Sequence, residues 1–356
     1  MVWRYCTRRR SITMKKTLAI LLLLAGTFAF ARPGAESATK RPVSIAVFVP
    51  GVIAGSPVYQ MLAEGATEAV ETYRAAGNTA ELTIIEAGTR QADWENRLTA
   101  LVAGGRYDLV VTSNPAMPDI AAAVSSRFPG QKFLVLDAHY TGNKQITTYR
   151  YNQREQGYLA GFMSALVSSS AMPNAQTGRK IGLIAGQEYP AMTDVILPAY
   201  REGARAVDPA FTVDFRVVGN WYDAAKGAEL ARAMKNAGAD VIMPISGGAN
   251  QGVLSAARET GFYVAWFDDN GYSLAPGLVI ASSVMDQRRL TAEKVLAFLE
   301  GSLPQGEAGT VGFADGYIRF VDDDPLWVQT VPESLRRRML NEIRRLQNGE
   351  LILSIQ

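Results

Sequence analysis

The chain has 356 residues, of which 48% are hydrophobic and 20% charged, and its formal net charge at pH 7 is +2. This length allows two domains of ordinary size, and the near balance of charges gives no support to a nucleic-acid-binding surface. The single histidine, His139, argues against a metal site or a catalytic triad built on histidine. The sequence also contains no nucleophile-elbow, zinc-protease, Walker A or dinucleotide-binding motif.

The first part of the chain has the pattern of a secretory signal peptide. Lys15 and Lys16 precede an apolar run over residues 18–28, and residues 29–31 (AFA) form a small-residue cleavage site. The apolar run is too short to span a bilayer comfortably. We therefore expect residues 1–31 to be removed on export.

Two further features of this segment bear on the mature protein. Met14 is an alternative start of translation, which would make residues 1–13 an extension of the reading frame. The only cysteine, Cys6, precedes the apolar run and so cannot be the lipidated cysteine of a lipoprotein signal. The sequence predicts a non-lipidated periplasmic protein in which residues 32–42 form a flexible leader.

Short apolar runs then alternate with amphipathic segments. Residues 44–49 form an apolar run ended by a Pro-Gly pair, and residues 59–73 have apolar side chains at helical spacing, so a strand, a turn and a helix are predicted. Ser56 and Pro57 stand where a helix N-cap and a first helical residue are expected. The same alternation predicts strands at 82–85, 109–112 and 133–136 and helices at 91–104 and 119–128.

The alternation restarts after an extended segment at 147–152 and a long helix at 153–168. The predicted strands of this second series are 181–185, 215–218, 241–244, 263–267 and 278–282, and the predicted helices are 191–207, 224–237, 251–260 and 287–299. The tail is predicted to contain a hairpin-like stretch at 310–321 and a basic amphipathic helix at 332–347.

Two consecutive series of this kind predict an α/β protein with two doubly wound parallel-sheet lobes, joined by a hinge and separated by a ligand cleft. The first lobe is predicted to comprise residues 43–149 and 273–305. The second lobe is predicted to comprise residues 150–272 and 306–356.

Side chains at the carboxyl ends of the predicted strands are the candidates for ligand contacts, because ligands of such sheets bind there. The loop from Ser56 to Gln60 follows the first strand, and Asn114 and Gly247 offer amide groups after later strands. Trp221 leaves a strand and precedes polar residues, which favours a position in the cleft. Its flat face could there stack on a planar ligand.

Four segments of the chain carry the motifs of a known family: SPVYQMLAEG at 56–65, YRYNQREQGYLAGFMSAL at 149–166, NWYDAAKGAELA at 220–231 and GVLSAARETGFYVAWFDDN at 252–270. They resemble the basic membrane protein family of ABC transporter substrate-binding proteins, and the resemblance extends over most of residues 43–300. It implies a type I periplasmic-binding-protein fold, no enzymatic activity and an ABC permease as partner. Within the family, the SPVYQ loop is most similar to the riboflavin-binding proteins of spirochaetes.

The resemblance also implies roles for individual residues, since the family usually binds purine nucleosides between aromatic rings and beside acidic side chains. Matched by motif, Tyr59 and Trp221 are the facing aromatic residues, and Asp137 and Asp268 are the acidic ones. Nucleoside-binding members carry a ribose-binding lysine at the position of Asp286 or the residue before it, so this chain departs from the pattern. Asp286 becomes a candidate for holding an acyclic polyol. The departure favours riboflavin as the transported ligand, with a purine nucleoside as the alternative.

Two other functional classes are weighed against a binding protein. An exported nucleoside hydrolase would need an acidic calcium-binding cluster, and Asp322–Asp324 lack the spacing of an EF-hand. A ligand-sensing module of a regulator shares this fold, but export and the lack of a helix-turn-helix argue against it. We expect a monomeric binding protein with a small-molecule ligand and with no cofactor, metal or nucleic-acid partner.

N-terminal sequencing of the exported protein checks the processing prediction. We expect the mature chain to begin at or near Arg32, because signal peptidase cuts after a small-residue site such as residues 29–31. An acylated N-terminus or an intact leader would contradict this expectation.

Overall fold

The structure is a computed structural model that describes residues 41–176 and 178–355. The predicted signal peptide and residues 32–40 of the predicted leader lie outside the described residues. Within the described ranges, no helix is long and apolar enough to cross a membrane.

Strands and helices alternate along this part of the chain, as the apolar periodicity predicts. The strands are β1 (Val43–Val49), β2 (Ala80–Glu86), β3 (Leu109–Ser113), β4 (Lys132–Leu136), β5 (Ile146–Tyr151), β6 (Lys180–Ala185), β7 (Thr212–Val217), β8 (Val241–Ile245), β9 (Tyr263–Asp268), β10 (Val279–Met285), β11 (Ala308–Val311) and β12 (Ile318–Phe320). The α-helices are α1 (Pro57–Ala75), α2 (Trp94–Ala103), α3 (Met117–Ser125), α4 (Gln153–Ser168), α5 (Leu197–Val207), α6 (Ala224–Asn236), α7 (Asn250–Thr260), α8 (Gln287–Leu299), α9 (Pro325–Thr330) and α10 (Glu333–Gln347). A π-helical turn, Ala191–Ile196, runs directly into α5.

The strands form two six-stranded sheets with the same internal order. The first sheet is ordered β11-β5-β4-β3-β1-β2, and the second is ordered β12-β10-β9-β8-β6-β7. In the first sheet the chain passes from β1 to β2 on one side and then to β3, β4 and β5 on the other. The second sheet repeats this path from β6 to β10. The prediction of two doubly wound parallel-sheet lobes is therefore confirmed.

The side chains of β1 show why its sequence is an unbroken apolar run. Ile45, Val47 and Val49 pack in one core cluster with α1 and α8, whereas Ala46 and Phe48 pack in another with α2 and α3. A parallel strand covered by helices on both faces needs apolar residues at every position. The carboxyl ends of such strands are held firmly, and they carry the pocket described below.

The predicted lobe boundaries need two corrections. Residues 273–305 are predicted in the first lobe, and α8 packs there against α1, but β10 pairs with β9 in the second sheet. Residues 306–356 are predicted in the second lobe, but β11 pairs with β5 in the first sheet. An apolar run predicts a strand and does not reveal which sheet the strand joins. The predicted crossing near residues 149–152 agrees with the passage from β5 to α4.

The predicted hairpin at 310–321 is wrong. Strand β11 runs parallel to β5 and β12 runs antiparallel to β10, so the two strands extend different sheets. The helix α9 lies in a segment for which no helix is predicted. Its signal is the Asp-Pro pair at its start, where the Asp324 carboxylate accepts a hydrogen bond from the Leu326 amide (2.8 Å).

Candidate functional site

A pocket lies between the carboxyl ends of the two sheets. Both lobes contribute the loops that follow their strands, and Gln153 adds the start of α4. The lining residues are Ser56, Val58, Tyr59, Ser113, Asn114, Pro115 and Asp137 from the first lobe and Gln153, Tyr189, Trp221, Tyr222, Ile245, Gly247, Gly248 and Asp268 from the second.

Two hydrogen bonds hold Tyr59 in the wall of the first lobe. Its hydroxyl donates to the Pro50 carbonyl (3.0 Å) and accepts from Nδ2 of Asn114 (3.1 Å). Oδ1 of Asn114 in turn accepts from the Ala116 amide (2.9 Å). Both polar atoms of the Asn114 side chain thus form hydrogen bonds within the protein, and the one to the Tyr59 hydroxyl holds the Tyr59 ring in position. The ring lies against Gly51, where an added Cβ would come within 2.8 Å of a ring carbon.

Two glycines make room for Trp221 in the wall of the second lobe. A Cβ at Gly186 would come within 2.4 Å of the indole, and a Cβ at Gly247 within 2.9 Å of the Trp221 carbonyl oxygen. Gly247 also has a left-handed backbone (φ 59°), which glycine adopts readily. The indole Nε1 donates to Oε1 of Gln187 (3.2 Å), and the Tyr189 ring lies 5.9 Å away at 47°. These contacts fix the orientation of the indole.

Tyr222 connects the two lobes at the edge of the pocket. An added Cβ at Gly51 would lie 2.4 Å from its hydroxyl oxygen, so the hydroxyl reaches the loop that follows β1. Burial raises the pKa of Tyr222 above its usual value, and a hydrogen bond with the Val52 backbone offsets part of this rise. Nearby, Nε2 of Gln187 lies 3.5 Å from Oε1 of Gln91. The lobes therefore touch beside the aromatic residues.

Two carboxyl groups enter the pocket from equivalent places in the two lobes. Asp137 directly follows β4 and Asp268 ends β9, which occupies the same position in its sheet. Both have left-handed backbone, with φ of 53° and 79°, which is uncommon outside glycine. Burial raises the pKa of Asp137 to about 7. Burial, with the neighbouring Asp137 and Asp269 carboxylates, raises the pKa of Asp268 well above its usual range.

The lining of the pocket contains no lysine or arginine. The side chain of Arg90 is 81% exposed and pairs with Asp93 (2.6 Å). Gln153 is only 7% exposed, and it brings a side-chain amide to the lining. The described residues also contain no group of three or more acidic, histidine or cysteine side chains that could hold a metal ion. The pocket thus offers carboxyl and amide groups beside aromatic rings.

Most of the candidate residues predicted from the sequence meet in this pocket, and their contact with a ligand stays a prediction. Those that line it are Ser56, Tyr59, Asn114, Asp137, Trp221, Gly247 and Asp268.

Gln60 and Asp286 do not line the pocket, and their contact with a ligand stays a prediction that the structure does not support. Gln60 lies on the exposed side of α1, where its Nε2 donates to Oε1 of Glu64 one turn further on (2.9 Å). Asp286 is the N-cap of α8, and its Oδ1 accepts from the Arg289 amide (3.0 Å). Both side chains are used by the helices that they begin or belong to.

Eight lining residues are missing from the sequence-based candidates, and those with the largest polar side chains are Tyr189, Tyr222 and Gln153. The repeat of the two lobes contains a signal for Tyr189, because it follows β6 as Tyr59 follows β1. Tyr222 is adjacent to Trp221 on the same loop. Gln153 has no such signal, because it reaches the pocket only through the crossing of the chain from β5 to α4.

Comparison with known proteins places this geometry in a family. A family model described as ABC transporter substrate-binding protein PnrA-like (Bmp) matches residues 42–350. The ABC transporter nucleoside-binding protein BmpA of Lactococcus lactis is 30% identical over 152 residues, which are 43% of this chain and 41% of that protein. The match therefore spans less than half the length of that relative. A purine-binding protein of Brucella abortus is 22% identical over 284 residues, covering 79% of this chain and 75% of that protein.

Solved structures share the architecture. An ABC transporter solute-binding protein from Aeropyrum pernix K1 matches with a TM-score of 0.68 at 21% identity, covering 87% of each chain. At this level of identity the likeness concerns the fold. It confirms the prediction of a type I periplasmic-binding-protein fold.

Replacement of Asp137 by asparagine tests the burial of this acid. A carboxyl group with a raised pKa in the folded state keeps a proton that the unfolded chain releases. Its stabilising contribution is therefore present below about pH 4 and is lost as the pH rises through about 7. We expect the free energy of unfolding of the ligand-free protein to fall between about pH 5 and about pH 8, and Asp137→Asn to remove at least about 1 kcal/mol of that fall.

Urea unfolding at the two pH values provides the measurement. The exposed Asp119 is a matched control, and Asp119→Asn should leave the pH dependence as it is in the parent. An Asp137→Asn variant with the same pH dependence as the parent would show that the carboxyl titrates normally.

Proposed function

This chain belongs to the PnrA-like family of ABC transporter substrate-binding proteins, and from that membership we propose that it binds riboflavin outside the cytoplasm and delivers it to an ABC permease. The family is one of solute-binding proteins. The observation that carries the choice of ligand is the make-up of the pocket. Aromatic rings from both lobes stand beside two half-buried carboxyl groups, with no lysine or arginine in the lining.

The aromatic side chains favour a wide planar ligand. Trp221 and Tyr59 belong to opposite lobes, so an isoalloxazine between them would bury both of its faces. Tyr189 extends the aromatic wall beside the indole. Removal of this much apolar surface from water supplies a large part of the binding free energy of a planar ligand.

The polar groups favour a ligand with hydroxyl and N–H groups and no net charge. Carboxylate oxygens accept hydrogen bonds from such groups, and the amide of Gln153 can both donate and accept. A phosphate would have to leave water for a site whose lining has no lysine or arginine to pair with it, and this loss of hydration would oppose its binding. Neutral riboflavin meets these conditions better than its phosphorylated forms.

A purine nucleoside is the second candidate, and the names of two relatives favour it. The proteins from Lactococcus lactis and Brucella abortus are named for binding nucleosides and purines. A purine base could stack between the same aromatic rings. The position matched to the family's ribose-binding lysine is Asp286, which caps α8 outside the pocket. A ribose would therefore need other partners in this chain.

The proposed setting is the periplasm. The signal-peptide pattern in residues 1–31 and the absence of a cysteine after it support export without lipidation. We propose a monomer whose lobes close around the ligand, which is the change that a permease could recognise. The contact of Tyr222 with the loop after β1 is the kind of contact that such closure would make.

Competition binding separates the two candidate ligands. For protein freed of ligand by unfolding and refolding, we expect riboflavin to bind most tightly and flavin mononucleotide at least about tenfold more weakly, because the lining of the pocket has no cation to pair with the phosphate. Flavin adenine dinucleotide, guanosine and inosine should bind more weakly still. Equal or tighter binding of the mononucleotide would refute the charge argument, and preference for a nucleoside would establish the second candidate.

The stacking role of Trp221 is tested by truncation of its side chain. We expect Trp221→Ala to weaken riboflavin binding at least about tenfold in titration calorimetry, because a buried aromatic anchor is lost. Trp221→Phe keeps an aromatic face and should lose less. If Trp221→Ala binds riboflavin within about twofold of the parent, the indole is not the stacking residue.

A further inference from the structure

A second chamber adjoins the pocket beyond Asp137, next to the crossing of the chain from β5 to α4. The pocket and this second chamber share Pro115, Asp137 and Gln153, so the two spaces meet at these side chains. The rest of the chamber is formed by the loop after β4, the end of β5, the π-helical turn before α5 and the C-terminal segment.

The polar groups of the second chamber include both donors and acceptors. The Arg150 guanidinium is held in place by a hydrogen bond from its Nε to Oγ1 of Thr310 (3.0 Å). Asp194 contributes a carboxylate from the π-helical turn. Burial and the charge of Arg150 lower the pKa of His139, so its imidazole is neutral at pH 7 and can donate at one nitrogen and accept at the other.

Gln153 borders both spaces. The residue is only 7% exposed, and it lines the pocket as well as the second chamber. Its side-chain amide can both donate and accept hydrogen bonds. A polar ligand that passes from the pocket to the chamber would reach this amide.

We infer that the second chamber is a subsite for a hydroxylated chain on the ligand, which extends from a ring stacked at Trp221 past Gln153 towards His139 and Arg150. This inference rests on the proposed function, and it places the polyol chain of the flavin in the second chamber. Each hydroxyl both donates and accepts, which matches a wall that mixes a guanidinium, an imidazole, an amide and carboxyl groups. A phosphate at the end of the chain would gain Arg150 but face Asp137 and Asp194.

Lumiflavin, which keeps the isoalloxazine ring and carries a methyl group in place of the ribityl chain, is the probe that isolates this subsite. We expect the parent to bind riboflavin at least about tenfold more tightly than lumiflavin, since several hydrogen bonds are lost with the chain. Ala191 lines the second chamber and does not line the pocket. Ala191→Phe should fill it and weaken riboflavin at least about tenfold, with lumiflavin changed less than about twofold.

Two further variants complete the design. Gln153→Leu keeps the volume of the side chain and removes its amide, so it should reduce the preference for riboflavin over lumiflavin several-fold. Ala206→Phe places the same bulk on an exposed position of α5 and should change neither affinity. Thermal unfolding without ligand shows whether each variant is folded, and Gln153→Leu, which adds no bulk, keeps the test valid if Ala191→Phe is unfolded.

The outcomes distinguish the subsite from the proposed function. Equal affinity of the parent for the two flavins, or an equal loss of both in Ala191→Phe, would overturn the subsite and leave flavin binding intact. Tighter binding of flavin mononucleotide than of riboflavin, lost in Arg150→Gln, would overturn the hydroxylated chain in favour of an anionic one. Failure of the parent to bind either flavin would overturn both proposals.

Discussion

The desolvation of two carboxyl groups in a lining without a lysine or arginine is the constraint on which this site depends. Asp137 and Asp268 lie at the ends of equivalent strands in left-handed backbone, and burial raises the pKa of both. Desolvated acids and strained backbone are each unfavourable for the free protein. The sheets tolerate them because their strands are covered on both faces and hold their ends firmly. A bound ligand that formed hydrogen bonds with these carboxyl groups would offset part of this cost.

The repeated strand order explains how distant parts of the sequence form one pocket. Strands β1 and β6 lead to Tyr59 and Tyr189, and strands β4 and β9 lead to Asp137 and Asp268, so equivalent strands bring one phenol and one acid from each lobe. The lobes differ at Trp221 and Tyr222, which follow β7. The matching loop after β2 contributes no residue to the lining. These two aromatic residues are thus an addition of the second lobe to the groups that the two lobes share.

The parts of the fold that depend on local pattern could be predicted, and those that depend on pairing between distant strands could not. Helices α4 and α8 begin and end at the predicted residues. Their signals, the apolar spacing and the residues at the helix start, lie within each helix or directly beside it. The segment at 310–321 was predicted as a hairpin because two short strands follow each other. Its strands instead join β5 and β10, and nothing near them in the sequence indicates those partners.

Only part of the site can be predicted from the sequence. The end of a strand gives the position of a residue at the edge of the sheet, but it does not give the direction of the side chain. Asp137, Asp268 and Asp286 all follow or end strands of the sheets, and all three carried the same expectation. Asp286 has negative φ (−90°) and leads straight into α8, so its carboxylate turns back to cap the helix. Asp137 and Asp268 have positive φ, which turns the chain the other way and leaves their carboxyl groups in the pocket. Because an aspartate can adopt either conformation, the residue type alone does not distinguish the two acids that line the pocket from the one that caps a helix.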